Sequence, residues 1–226
     1  MAHKRKDQRV LAEARVYQGQ TLAHIDEMDS EGIVLQMFKD FWNDSDSHDS
    51  ELKLGALMYI AALHSKLNQL EEAQLLLDKK DEVADVSASI ETTQKCAFYY
   101  AVGDIYLQRE DYQTAEESYR QAIELADKSC WKKMSAYGKA WLAVALLKQN
   151  ELEEAETCIK LALKSAQQYR DRRSVAKCYY ISALLSEQRG ESDDFCHCAR
   201  LAEEEFNRLG ITTAARQMKQ WVDNKH

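Results

Sequence analysis

Cysteine, histidine and clustered carboxylates are the residues through which this 226-residue chain could do chemistry, and their spacing denies most of it. Six cysteines (Cys96, Cys130, Cys158, Cys178, Cys196, Cys198) and six histidines (His3, His24, His48, His64, His197, His226) are scattered along the sequence. The one close grouping is Cys196-His197-Cys198. A structural zinc site needs four ligands, and no second pair follows at zinc spacing. Most cysteines fall at apolar positions of helical patterns, where a free thiol is a small hydrophobe. A chain of this size does not depend on disulfides. The stretch Asn43 to Ser50 is rich in carboxylates and hydroxyls. It lacks the central glycine and twelfth-position glutamate of a calcium loop and reads as a solvated linker. No G-x-G-x-x-G, P-loop, H-E-x-x-H or G-x-S-x-G is present. The expectation is no catalytic residue, no metal site, no cofactor and no enzymatic activity.

Composition narrows the remaining classes. There is no proline, against about eleven at ordinary usage, and only seven glycines. Folds built on proline-dependent turns or many glycine loops are disfavoured. A hydrophobic fraction of 45% with four Trp, eleven Tyr and five Phe supports a packed core. The net charge of −8 disfavours non-specific nucleic-acid binding, which rests on neutralising phosphates. The basic run Lys4-Arg5-Lys6 with Arg9 reads as a solvated helix start. No stretch approaches the roughly 20 apolar residues of a membrane span, and the amino terminus has no signal-peptide pattern. A soluble, cytoplasmic protein is expected.

The elements that must position any site are helices, because apolar residues recur with a period near 3.6 almost end to end. The first helix is expected from about Asp7 to Met28, broken at Asp29-Ser30-Glu31-Gly32. A second carries the stripe Val34, Met37, Phe38, Phe41 and Trp42. Residues 1–50 are thus expected to form a helical hairpin, suited to cap the near end of a longer array. From Glu51 the sequence repeats: Leu70-Glu71-Glu72-Ala73, Tyr112-Gln113-Thr114-Ala115 and Leu152-Glu153-Glu154-Ala155 each follow a short polar break. The alanines stand 42 and then 40 residues apart. A regular period of this size signals an all-α solenoid of stacked helical pairs. A last helix from about Ile211 carries the stripe Ile211, Ala214, Ala215, Met218, Trp221 and Val222, suited to cap the far end.

The register from Cys96 is the clearest. Tyr99, Val102, Gly103, Tyr106, Tyr112, Ala115, Tyr119 and Ala122 resemble the tetratricopeptide repeat, with its aromatic, small and aromatic positions at the crossing of two helices. Equivalent positions recur in the repeat before, with Leu57 to Leu77, and in the two after, with Leu142 to Ala162 and Tyr179 to Ala202. The resemblance covers roughly residues 51–209. The family usually repeats every 34 residues and closes each unit with proline. Here the period is near 40, and Asp85, Asp127, Gln167 and Asn207 stand at the proline positions. The last unit departs most, with Phe195 in place of the small alanine. The resemblance implies a right-handed superhelix of about four repeats over residues 51–226.

It also implies a concave groove lined by the first helix of each pair. Family positions carry over to Met58, Tyr100, Asp104, Tyr137, Val144, Lys148, Lys177, Tyr180 and Leu184 as candidate partner-binding residues. The Lys and Asn clamp of the chaperone-binding members is missing, since its positions hold Met58 and Ala62, then Tyr100 and Asp104. The groove is instead apolar and aromatic. Two dispositions of the tyrosines stay open, lining the groove or packing in the core. The implied function is a non-enzymatic adaptor or regulatory protein that binds a peptide or helix of a protein partner. The alternative is the peptide-sensing domain of a bacterial regulator. Self-association through the Phe38/Trp42 stripe or the last helix is a further option.

Overall fold

A computed structural model describes residues 92–225. The expected N-terminal hairpin, the 43–50 linker and the first repeat, with Met58, His64 and Asp85, lie outside the described residues. So does the Phe38/Trp42 stripe. Seven helices run in order among the described residues, with no strand. They are α1 (Thr92–Gln108), α2 (Tyr112–Lys128), α3 (Lys132–Lys148), α4 (Leu152–Gln168), α5 (Arg172–Arg189), α6 (Ser192–Arg208) and α7 (Thr212–Asp223). Contacts divide the chain between Asp111 and Tyr112, so α1 belongs to one unit and α2 to α7 form the other.

In α1, Cys96, Tyr100, Ala101 and Ile105 are buried. Phe98, Val102 and Tyr106 pack against Ile105. The unit from Tyr112 onward is a ladder. Each of its helices packs on the next, and α3 also touches α5. The first helices of successive pairs therefore form one layer and the second helices another. The layers approach closely because alanine sits where they cross. Ala115, Ala122, Ala126, Ala155, Ala162, Ala199 and Ala202 have no exposed surface, and such small contacts suit short interaxial distances. Tyr119, Leu146, Ile181 and Phe195 fill the remaining space and are almost wholly buried. Phe195, at an alanine position of the repeat, is seated against α7. It clusters with Ala183, Ala199 and Val222, and Trp221 packs on it.

Successive helices begin at residues 92, 112, 132, 152, 172, 192 and 212, twenty apart throughout. The connections keep the same beat. Glu110, Cys130, Asn150, Arg170, Gly190 and Gly210 all have positive φ, between 54° and 75°. Around each, two backbone bonds close the helix end. At the first, Glu110 N donates to Leu107 O at 3.2 Å and Asp111 N to Tyr106 O at 3.0 Å. The other five repeat this pair: Trp131 N to Ala126 O at 2.8 Å, Glu151 N to Leu146 O at 2.9 Å, and so on to Ile211 N on Phe206 O at 2.9 Å. This is the Schellman closure, in which a left-handed residue turns the chain while orphan carbonyls find donors.

The missing prolines acquire a reason here. In every connection the positive-φ residue and the one after it must donate an N–H, and a proline at either would delete the bond. Asp127, Gln167 and Asn207, at the family's proline positions, lie in the last turns of α2, α4 and α6. Their carbonyls accept the first Schellman bond.

Candidate partner-binding cleft

Of the nine candidate residues, Met58 lies outside the described region. Tyr100 and Asp104 lie on α1, where Tyr100 is only 4% exposed and Asp104 is half-buried. The other six lie on α3 and α5. Equivalent register positions do not share one environment. Ala140, one period after Tyr100, is buried, whereas Tyr180, a period further, is half-buried. Val144 is 8% exposed, but Leu184 at the same register is half-buried. The face turned outward thus widens toward the C-terminal end.

There α5, the end of α6 and α7 enclose an open cleft of about 500 Å³. Lys177, Tyr180 and Leu184 of α5 line it, facing Phe206, Met218 and Trp221 with Ala214 and Gln217. A smaller depression of about 210 Å³ adjoins it across Leu184, bounded by Val144, Leu147 and Lys148 of α3 and by Glu187 and Gln188. The structure therefore brings Lys177, Tyr180 and Leu184 together in one cleft, and Val144, Lys148 and Leu184 in the other.

Trp221 fixes the wall of the larger cleft. Its ring meets Phe195 edge-on at 4.8 Å and Tyr180 at 5.9 Å, spacings at which aromatic pairs attract. Its indole N–H donates to Glu187 Oε1 at 3.2 Å. The Lys225 ammonium pairs with the same oxygen at 2.7 Å. Burial, and then the Glu187 charge, push the Tyr180 hydroxyl above its ordinary pKa, so this tyrosine is a neutral donor. Gln188 Nε2 donates to Leu147 O at 3.2 Å and to Asn150 Oδ1 at 3.1 Å, tying α5 to the end of α3.

On the α3 side, Tyr137 and Trp141 form an edge-on pair at 6.3 Å. The Lys177 ammonium stands 4.1 Å from the Trp141 ring centre and 4.9 Å from that of Tyr137. Both distances lie within cation–π range. The Trp141 indole N–H is buried without an acceptor. The repeat register marks Tyr137 and Lys177 as lining groups but passes over Trp141, Phe206, Met218 and Trp221. A signal for the two tryptophans existed: residues 141 and 221 are two repeat periods apart, so both project from the same register of a first helix.

Among the described residues, no group of three or more His, Cys, Asp or Glu stands where it could hold a metal ion. Cys196 and Cys198 are half-buried and His197 is exposed, on successive positions of α6. No described helix is long and apolar enough to cross a membrane.

Residues 97–129 and 138–169 match the sequence signature of the tetratricopeptide repeat. No curated protein matches the chain by sequence. Among solved structures, the chain is similar to a signal-transduction ATPase with numerous domains, carrying a tetratricopeptide-repeat sensor, from Pyrococcus horikoshii. The TM-score is 0.73 at 15% identity, over 93% of this chain and 32% of that one. The chain thus spans about a third of that protein's length. It is similar to the Rap conjugation gene regulator of plasmid pLS20 in complex with the Phr* peptide, with a TM-score of 0.61 at 14% identity over 95% and 72%. A putative kinesin light chain of Podosopora anserina with nearly identical repeats gives 0.62 at 13% over 91% and 97%. At these identities the likeness is one of fold. Residues 97–129 and 138–169 are thus tetratricopeptide repeats, set in an all-α fold of the kind built from such repeats.

Proposed function

We propose that the protein is a non-enzymatic adaptor or regulatory protein that binds a peptide or helical segment of a protein partner. The binding site is the pair of clefts that share Leu184. The observation that carries this reading is the open apolar and aromatic wall of Tyr180, Leu184, Phe206, Met218 and Trp221, with Lys177 at its margin. Aromatic anchors of this kind often dominate interface energy, and a helix or extended segment fits a groove between helices. Tyr100 contributes to the core of α1, and its replacement is expected to cost stability.

The test is selection of peptides from a displayed library on the full chain, followed by calorimetry. Tyr180→Ala and Leu184→Ala should each weaken the selected peptide by more than about 1 kcal/mol, with melting temperatures little changed. A selected peptide whose affinity ignores both changes would place the site elsewhere. The second reading, a peptide-sensing domain of a bacterial regulator, is supported by the fold shared with the Rap regulator and its Phr* peptide. A sensor should gain thermal stability from a short linear peptide, because a ligand selective for the folded state raises apparent stability.

A further inference from the structure

The two edges of the unit from Tyr112 onward carry opposite charge. On one edge lie the N-termini of α3 and α5 and the C-termini of α2 and α4. There α3 opens with Lys132-Lys133 and α5 with Arg172-Arg173, preceded by Arg170. On the other edge α4 opens with Glu153-Glu154 after Glu151, and α6 with Asp193-Asp194 after Glu191. The acidic pairs need no explanation beyond their own helices, since a helix N-terminus carries partial positive charge and favours anions. The basic pairs oppose that rule at the same register forty residues apart, although at α5 the capping Asp171, which accepts from Ser174 N at 3.3 Å, follows it. Intramolecular ion pairs do not account for all of these cations. Lys132 lies 3.6 Å from Asp127, but Lys133, Arg170 and Arg172 have no ion-pair partner among the described residues. On the acidic edge, Glu154 is taken by Arg120 at 2.7 Å. Glu151, Glu191, Asp193 and Asp194 have no such partner among the described residues.

We infer that these edges are complementary docking surfaces between copies of this chain, the basic edge of one meeting the acidic edge of the next. Charge and pitch both support this contact. Basic pairs recur one helical pair apart on one edge, and acidic pairs recur one helical pair apart on the other. The same structural step generates both spacings, so a second copy displaced sideways brings pair opposite pair. The basic edge also holds Trp131 at 37% and Tyr169 at 40% exposure, which supply the apolar anchors that exposed charges alone lack. Because the contact joins unlike faces, it is heterologous and extends to further copies unless rotation closes it.

Sedimentation velocity on the full chain tests the inference. At ~0.01 M salt, where charges act over about 30 Å, the sedimentation coefficient should rise with protein concentration. At ~1 M, with a screening length of about 3 Å, it should not. Lys133→Glu with Arg172→Glu should abolish the rise while leaving the melting temperature equal or higher, because the new carboxylates suit the helix ends. Glu191→Lys with Asp193→Lys should abolish it too. An equimolar mixture of the two variants should restore association, since each retains the edge that the other needs. A wild-type chain monomeric at low salt overturns the inference. So does association that survives either reversal, or a mixture that stays monomeric.

Discussion

At Cys130 and Arg170 the backbone holds φ of 56° and 54° with a side chain present, a conformation that costs an ordinary residue roughly 1–2 kcal/mol. Glycine does not bear that cost but loses more chain entropy on folding. The balance predicts that Cys130→Gly and Arg170→Gly each raise stability by about 0.5–1 kcal/mol in urea unfolding. The reverse change, Gly190→Ala, should lower it by about 1 kcal/mol. At Gly190 an added Cβ would meet nothing within 4 Å, so backbone strain alone sets the loss. The thiols divide by environment. Cys130 is exposed, while burial pushes the Cys178 pKa up to about 12. At mildly alkaline pH a maleimide should label Cys130 in the folded protein and spare Cys178 until denaturant is added. Sequence marks the turns at Gly190, Gly210 and Asn150, whose residue types favour positive φ. Glu110, Cys130 and Arg170 have no such preference, and there the flanking Schellman bonds impose the conformation.

Between elements, two different ties occupy the same register forty residues apart. Gln149 at the end of α3 donates to Glu116 Oε2 of α2 at 2.7 Å, and Arg189 at the end of α5 pairs with Glu156 of α4 at 2.9 Å. Hydrogen bonds from Lys160 and then Arg189 hold the Glu156 carboxyl below its ordinary 4.5. A carboxyl lowered on folding stabilises above its unfolded pKa, and that contribution is lost as pH falls through the folded value. The stability gap between wild type and Glu156→Gln should therefore be present at neutral pH and close below about pH 4. The docking of α7 depends on Trp221 and its contacts with Phe195, Tyr180 and Glu187. Trp221→Ala should cost roughly 3 kcal/mol and loosen α7, which tryptophan fluorescence and helical circular dichroism together would report. The terminal stripe of α7 is readable in the sequence. Its seating against Phe195 is not, because a phenylalanine at an alanine position looks like a defect until the helix that accommodates it is known.

Over the whole unit from Tyr112 onward, a ladder of helices has neighbours only on either side, so stability varies along it. α3 packs on α2, α4 and α5 and buries every residue from Leu142 to Leu147. α7 buries only Ala215, Met218 and Val222. Amide exchange should be slowest in α3 and fastest in α7, a gradient that mass spectrometry can resolve. The fold was legible because Ala115 and Ala155, Ala122 and Ala162, and the polar breaks before them repeat with the period that the packing requires. The cleft was less so. Tyr100, Ala140 and Tyr180 share a register, yet bulk and neighbours differ at each, and only the last turns toward open space.

The connections between helices also bear on handedness. At Glu110, Cys130, Asn150 and Arg170 natural residues adopt a geometry that their mirror images would prefer. Synthesis of this protein with D-residues at those four sites should stabilise the turns, while the same exchange one position earlier, where φ is negative, should undo them. Among the described residues, a left-handed step thus stands at every twentieth position between right-handed helices.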